Sequence, residues 1–248
     1  MTGGNKGIGK EIVRQLAAQG LTAVLTARDE RRGAEAAHEI SADVGRAVPF
    51  RQVRPARNGA RVPTSRAPPP QLDVTDDASV ARLASWLQDT YGGVDILINN
   101  AGMAYKARAA ACAARAAWRV LRRRGLRAQG NTFGADEAQK TIDTNAAGTL
   151  RVTNALLPLL RVRAAASPQG ARVVNVCSSA GKLRILRSDA LAARFDAAAT
   201  AEEVLALMAE FVADIRAGRH LEKGWPNRRV FVCMPKMHSL RCAVDARG

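Results

Sequence analysis

The sequence predicts an α/β fold with a parallel, doubly wound sheet, and three observations carry that prediction. Apolar runs of strand length alternate with segments of helical periodicity between residues 21 and 218. Glycines spaced as GxxxGxG, namely Gly3, Gly7 and Gly9, lead straight into the first helical segment. Polar turn residues gather after the apolar runs, at the carboxyl ends of strands, where a sheet of this kind places its chemistry.

The elements follow in order. Ile12, Val13 and Leu16 share one face of a helix predicted over 9–19, and LTAVLTA (21–27) reads as a short buried strand. A polar helix is predicted over 29–40, and AVPF (47–50) starts another strand. LDVTDDASVARLASWLQDTYG (72–92) holds a strand end, a cap at Thr75 or Asp76, and a helix. VDILINNAG (94–102) is an apolar strand with a polar end. EAQKTIDTNAAGTLRVTNALLPLL (137–160) reads as one long helix, ARVVNVCSSAG (171–181) as a strand ending in a polar turn, and AEEVLALMAEFVADIRAG (201–218) as a further helix.

At 248 residues, 47% apolar and 24% charged, the chain is expected to form a single domain with a sizeable core. No run approaches the roughly 18 to 20 apolar residues of a membrane span, and Met1 abuts the glycine loop, so cytoplasmic residence is expected. Cys112, Cys177, Cys233 and Cys242 show no CxxC pairing, and with only three His no metal site is expected.

The net charge of +16 is the abnormal quantity. It is concentrated in 53–71, with four Arg and no acid, in 107–129, with seven Arg and no acid, and in 228–248, with five basic residues against Asp245. A nucleic-acid partner is therefore not expected, because the charge belongs to three segments and the rest is near neutral. The predicted organisation is one domain over 1–227, interrupted by basic insertions at 53–71 and 107–129 and followed by a basic tail at 228–248. Two readings of the insertions stand: translated GC-rich sequence foreign to the fold, or, for 107–129, a basic helix carrying Trp118, Leu121 and Leu126 toward an anionic surface.

The glycine spacing removes Cβ atoms where backbone must approach a pyrophosphate, whose charge the helix N-terminus then meets. The second strand ends TARD, which puts Arg28 where a nucleotide 2′-phosphate is read. Asp73 follows the third strand as an adenine-side contact, and Asn99, Asn100, Ala101 and Gly102 form a close-packed turn after the fourth.

This ordered set, TGGNKGIG, LDV, NNAG, TNAAGT and VNVCSSAG, resembles the short-chain dehydrogenase/reductase family. TARD, GWPN and the helical segment after the serine motif are most similar to the monomeric NADPH-dependent carbonyl reductases. The resemblance implies a Rossmann-like domain that binds NADPH through Gly3, Asn5, Lys6, Gly7, Ile8, Gly9, Arg28, Asp73, Val74, Asn100, Ala101 and Gly102. It implies hydride transfer to a small aldehyde or ketone by a monomer, with Asn145 and Ser179 as catalytic residues. It also implies an apolar first strand ahead of TGG and further strands after the tail, so the fold is expected to lack both. The family's YxxxK pair is expected after GWPN. The sequence there reads GWPNRRVFVCMPK, with Val230 and Met234 at the expected positions of the Tyr and Lys.

Overall fold

The computed structural model describes residues 1–50, 70–104, 134–178 and 181–226. The predicted insertions, apart from 70–71, and the tail at 228–248 lie outside the described residues, as do Ser179, Val230 and Met234.

Helix α1 (Gly7–Ala18) follows the glycine loop and buries Val13 and Ala17. Helix α2 (Glu30–Val44) is capped by Asp29, whose carboxylate accepts from the Arg32 amide, and it ends on Gly45 in the left-handed region at φ 65°. Between them, 21–27 runs extended: the Leu25 amide donates to Pro49 O at 3.2 Å and the Leu72 amide to Ala27 O at 3.2 Å. Both bonds lie on one flank of 21–27, so the predicted strand segments 47–50 and 72–74 follow one another along it without a continuous ladder. Helix α3 (Asp77–Tyr91) takes Asp76 as its cap, which decides between the two sequence candidates.

Strand β1 (Ile96–Asn99) pairs in parallel with β2 (Arg172–Asn175), Ile96 opposite Arg172 and Asn99 opposite Asn175. Two crossover helices connect them, α4 (Ala135–Ile142) and α5 (Gly148–Ala166). The single long helix expected over 137–160 is divided by a π-helical turn, Asp143–Ala147. Beyond β2, α6 (Asp189–Ala197) lies in the helical segment expected after the serine motif, where it had no bounds of its own, and α7 (Ala201–Arg216) agrees with expectation. No helix among the described residues is long and apolar enough to cross a membrane.

Three apolar clusters hold these elements. Val13, Leu25, Ile40, Val48 and Phe50 join α1 and α2 to the extended segments. Val80, Leu83 and Leu87 of α3 meet Val152, Leu156 and Leu160 of α5 around Leu97. Ile142, Phe195, Val204, Met208, Phe211 and Trp225 unite α4, α6 and α7.

Candidate active site

The site forms where the glycine loop meets the carboxyl end of β1. Gly3 stands at φ 63°, and a Cβ there would come within 3.0 Å of the Ala101 Cα. Gly9 is packed more tightly: a Cβ would lie 2.4 Å from both Gly3 O and Asn100 Nδ2. Asn100 fastens the two loops, donating from Nδ2 to Thr2 O at 3.1 Å and Gly3 O at 3.0 Å. Thr2 completes the clasp, its Oγ1 accepting from the amides of Asn100 and Ala101, both at 2.9 Å. Sequence reasoning passed over Thr2, although its place in the TGG triplet marked it.

Gly7 has a different environment. It stands at φ 55°, and no atom lies within 4 Å of the position its Cβ would take. No side chain caps α1, its first turn contains no acid, and Ile8 beside Gly7 is 68% exposed. Open space at Gly7 thus adjoins an uncapped helix N-terminus, an arrangement that can hold an anion. Asn5 is half-buried and Lys6 exposed at the mouth of this cradle.

Arg28 is exposed at the end of 21–27, and its charge acts on Asp73. Burial works to raise the Asp73 pKa, but hydrogen bonds from the Thr75 hydroxyl and amide, helped by Arg28 and Arg151, outweigh it and lower the pKa. The Asp73 side chain is therefore engaged in a local turn, accepting from Thr75 N at 2.9 Å and Oγ1 at 2.7 Å. Val74 is buried against Gly148, where a Cβ would come within 2.8 Å of Val74 Cγ2.

Asn145 lies in the π turn with 2% of its surface exposed. Its amide grips the Met103 backbone from both sides, Oδ1 accepting from the Met103 amide and Nδ2 donating to Met103 O, each at 2.8 Å. Gly102 passes close by, where a Cβ would be 3.4 Å from Asn145 Oδ1. The structure thus brings Gly3, Gly9, Asn100, Ala101, Gly102 and Asn145 into one connected wall. Ser179 falls outside the described residues. Beneath the wall, buried Asn99 donates from Nδ2 to Thr153 Oγ1 at 3.0 Å and Asn175 Oδ1 at 2.8 Å, tying β1 to α5 and β2.

A family model described as short chain dehydrogenase matches residues 1–60 and 53–194. The chain is 36% identical over 233 residues to short-chain dehydrogenase/reductase 1 of Saponaria officinalis, covering 91% of this chain and 68% of that protein. It is 36% identical over 231 residues to carbonyl reductase (NADPH) 1 of Homo sapiens, covering 92% of this chain and 66% of that protein. The chain spans about two thirds of the length of these curated relatives. Among solved structures, menthone neomenthol reductase from Mentha piperita superposes with a TM-score of 0.67 at 32% identity, over 91% of this chain and 76% of that one. A clasped glycine loop, parallel β1 and β2 with helical crossovers, and these similarities lead to one conclusion: the chain belongs to the short-chain dehydrogenase family.

Proposed function

We propose that the chain binds NADPH and descends from carbonyl reductases that transfer hydride to an aldehyde or ketone, with turnover impaired in this sequence. The observation that carries the binding half is the uncapped, acid-free N-terminus of α1 with open space at Gly7. A pyrophosphate fits this cradle because orphan amides and the helix dipole favour an anion there. Asn5, Lys6, Gly7 and Ile8 would border it. Exposed Arg28, with Lys6, would pair with a 2′-phosphate through charge-assisted bonds. Asp73 and Val74 would flank the adenine side, with Asn100, Ala101 and Gly102 as the opposite wall. The relatives named for NADPH support this choice of cofactor.

When bound, NADPH supplies a hydride, and the protein must place the carbonyl and deliver a proton. Asn145 holds the Met103 loop in place beside the cradle, and Ser179 is the residue proposed to polarise the carbonyl. Proton delivery calls for a phenol tuned by an adjacent ammonium, and Val230 and Met234 supply neither. A second reading, a nucleotide-binding remnant without catalysis, is favoured by that same observation. Loss of a general acid lowers rate about 10²- to 10⁴-fold. The test is NADPH oxidation in the presence of simple aldehydes and quinones. Binding without consumption is expected, and steady turnover at the relatives' scale would contradict impairment.

We also propose a cytoplasmic monomer. The packing of α6 and α7 against α4 supports the monomer, since that segment covers a face of the domain. The exposed thiol of Cys177 fits a reducing compartment.

A further inference from the structure

The turn 72–76 carries Asp73 and Val74, and it is held in two different ways. On the Asp73 side the contacts are local. The Asp73 amide donates to Ser79 Oγ at 3.0 Å, the Asp76 amide donates to Asp73 O at 3.2 Å, and Thr75 occupies the Asp73 carboxylate. On the Val74 side the contacts come from α5, much later in the chain. Arg151 Nη1 donates to Val74 O at 2.8 Å, and among the described residues no backbone amide donates to that carbonyl. Gly148 backs the same residue, since a Cβ there would meet Val74 Cγ2 at 2.8 Å and Val74 O at 3.0 Å. Val74 is buried, so its carbonyl is costly to leave without a donor.

Arg151 has a second bond, from Nε to the Asp77 carboxylate at the start of α3. The Asp77 side chain is 86% exposed and that of Arg151 only 27%. An ion pair open to water at one end contributes little, whereas a charged donor to a buried carbonyl contributes more. The bond to Val74 is therefore the one that matters most. Asn145, Gly148 and Arg151 recur at intervals of three, and residues so spaced are neighbours on a helix surface. Asn145 grips Met103 in the loop after β1. One stretch of helix thus holds that loop and the Val74 turn together.

We propose that Arg151 is a positioning residue for the adenosine half of the cofactor: by donating to Val74 O it fixes the Asp73–Val74 turn against which the adenine would lie. The inference rests on the NADPH reading given above. Arg151 acts through the backbone of the turn and not on the nucleotide. Without its donor the buried carbonyl has to turn toward water, and the Asp73–Val74 segment turns with it. Groups of the ligand that meet this segment then lose affinity. The loop held by Asn145 keeps its two bonds to Met103, so the opposite wall of the cradle is unaffected.

The test is calorimetric titration of the full chain with 2′,5′-ADP, which represents the adenosine half alone, and with NADPH. Arg151→Met keeps the apolar stem and removes the donor, and it should weaken 2′,5′-ADP binding at least about tenfold. NADPH should lose the same factor, because the change is confined to the adenosine half. Arg151→Lys, which keeps a charged donor but not the fork, should recover affinity to within about threefold of the unaltered chain. Asp77→Asn, which removes the exposed ion pair and leaves the Val74 bond, should change affinity less than about twofold. Hydrogen exchange of the 72–76 amides should quicken in Arg151→Met while α1 keeps its protection. Unchanged 2′,5′-ADP affinity in Arg151→Met, no recovery in Arg151→Lys, or an equal loss in Asp77→Asn would each overturn the positioning role and leave the NADPH reading intact. A larger loss for NADPH than for 2′,5′-ADP would also overturn it, since the disturbance would then extend through the whole cradle. So would loss of the helical circular dichroism signal in Arg151→Met, which would make the residue a general support of the fold. Failure of the unaltered chain to bind either nucleotide would overturn both readings.

Discussion

Single atoms decide how the cradle works, and Gly7 and Gly9 show it by contrast. A Cβ on Gly9 meets Gly3 O and Asn100 Nδ2 at 2.4 Å, so Gly9→Ala must push apart the clasp between the two loops. Overpacking of this kind costs about 1–3 kcal/mol. Urea unfolding should register that loss, and NADPH affinity should fall at least about tenfold with it. Gly7→Ala meets no atom and carries only the left-handed penalty of roughly 1–2 kcal/mol, while its methyl projects into the anion cradle. Binding should therefore weaken more than stability. Equal behaviour of the two variants would remove the distinction drawn between packing glycine and cradle glycine.

At the scale of elements, the join between α7 and the GWPN segment rests on one buried carboxylate. Asp214 has 0% exposure and accepts from Trp225 Nε1 at 2.9 Å, Arg219 Nε at 2.8 Å and Lys223 Nζ at 3.1 Å. Burial pushes its pKa up, but the bonds from Arg219, Trp225 and Lys223 outweigh this and lower it. A lowered carboxylate pKa adds stability above the unfolded value near about 4, and that stability is lost as pH falls below it. Asp214→Asn should shallow the acid-side decline, and an unchanged acid midpoint would contradict the assignment. Trp225 packs with its ring 5.1 Å from Phe211 and 6.1 Å from Phe195. Trp225→Ala should cost about 3–5 kcal/mol in denaturant unfolding. In the sequence, GWPN was legible only as a phrase shared with a family. The physical reason for it is that Trp225 fills the α4, α6 and α7 core while Gly224, at φ 82°, lets the chain pass Ser188.

Across the whole molecule, the alternation of elements and the glycine loop were readable because burial imposes their periods directly on local sequence. The helices α1, α2, α3 and α7 were legible for that reason, and the cradle residues because motif spacing encodes backbone approach. The π turn at Asn145 was hidden because nothing local distinguishes it from the helix that surrounds it. The clasp through Thr2 and Asn100 joins positions nearly a hundred residues apart, a pairing that periodicity cannot reveal. That Met1 and Thr2 bridge the extended segment 24–26 and Ile98 is likewise shown only by the geometry.

We propose that this chain keeps an NADPH-reading cradle. The most direct measurement is a fluorescence titration of the full chain with NADPH and NADH, repeated with Arg28→Ala. We expect NADPH to bind at least about tenfold more tightly, in line with a charge-assisted 2′-phosphate contact, and Arg28→Ala to erase most of that preference. Equal affinities in the unaltered chain, or a preference that survives loss of Arg28, would contradict the claim.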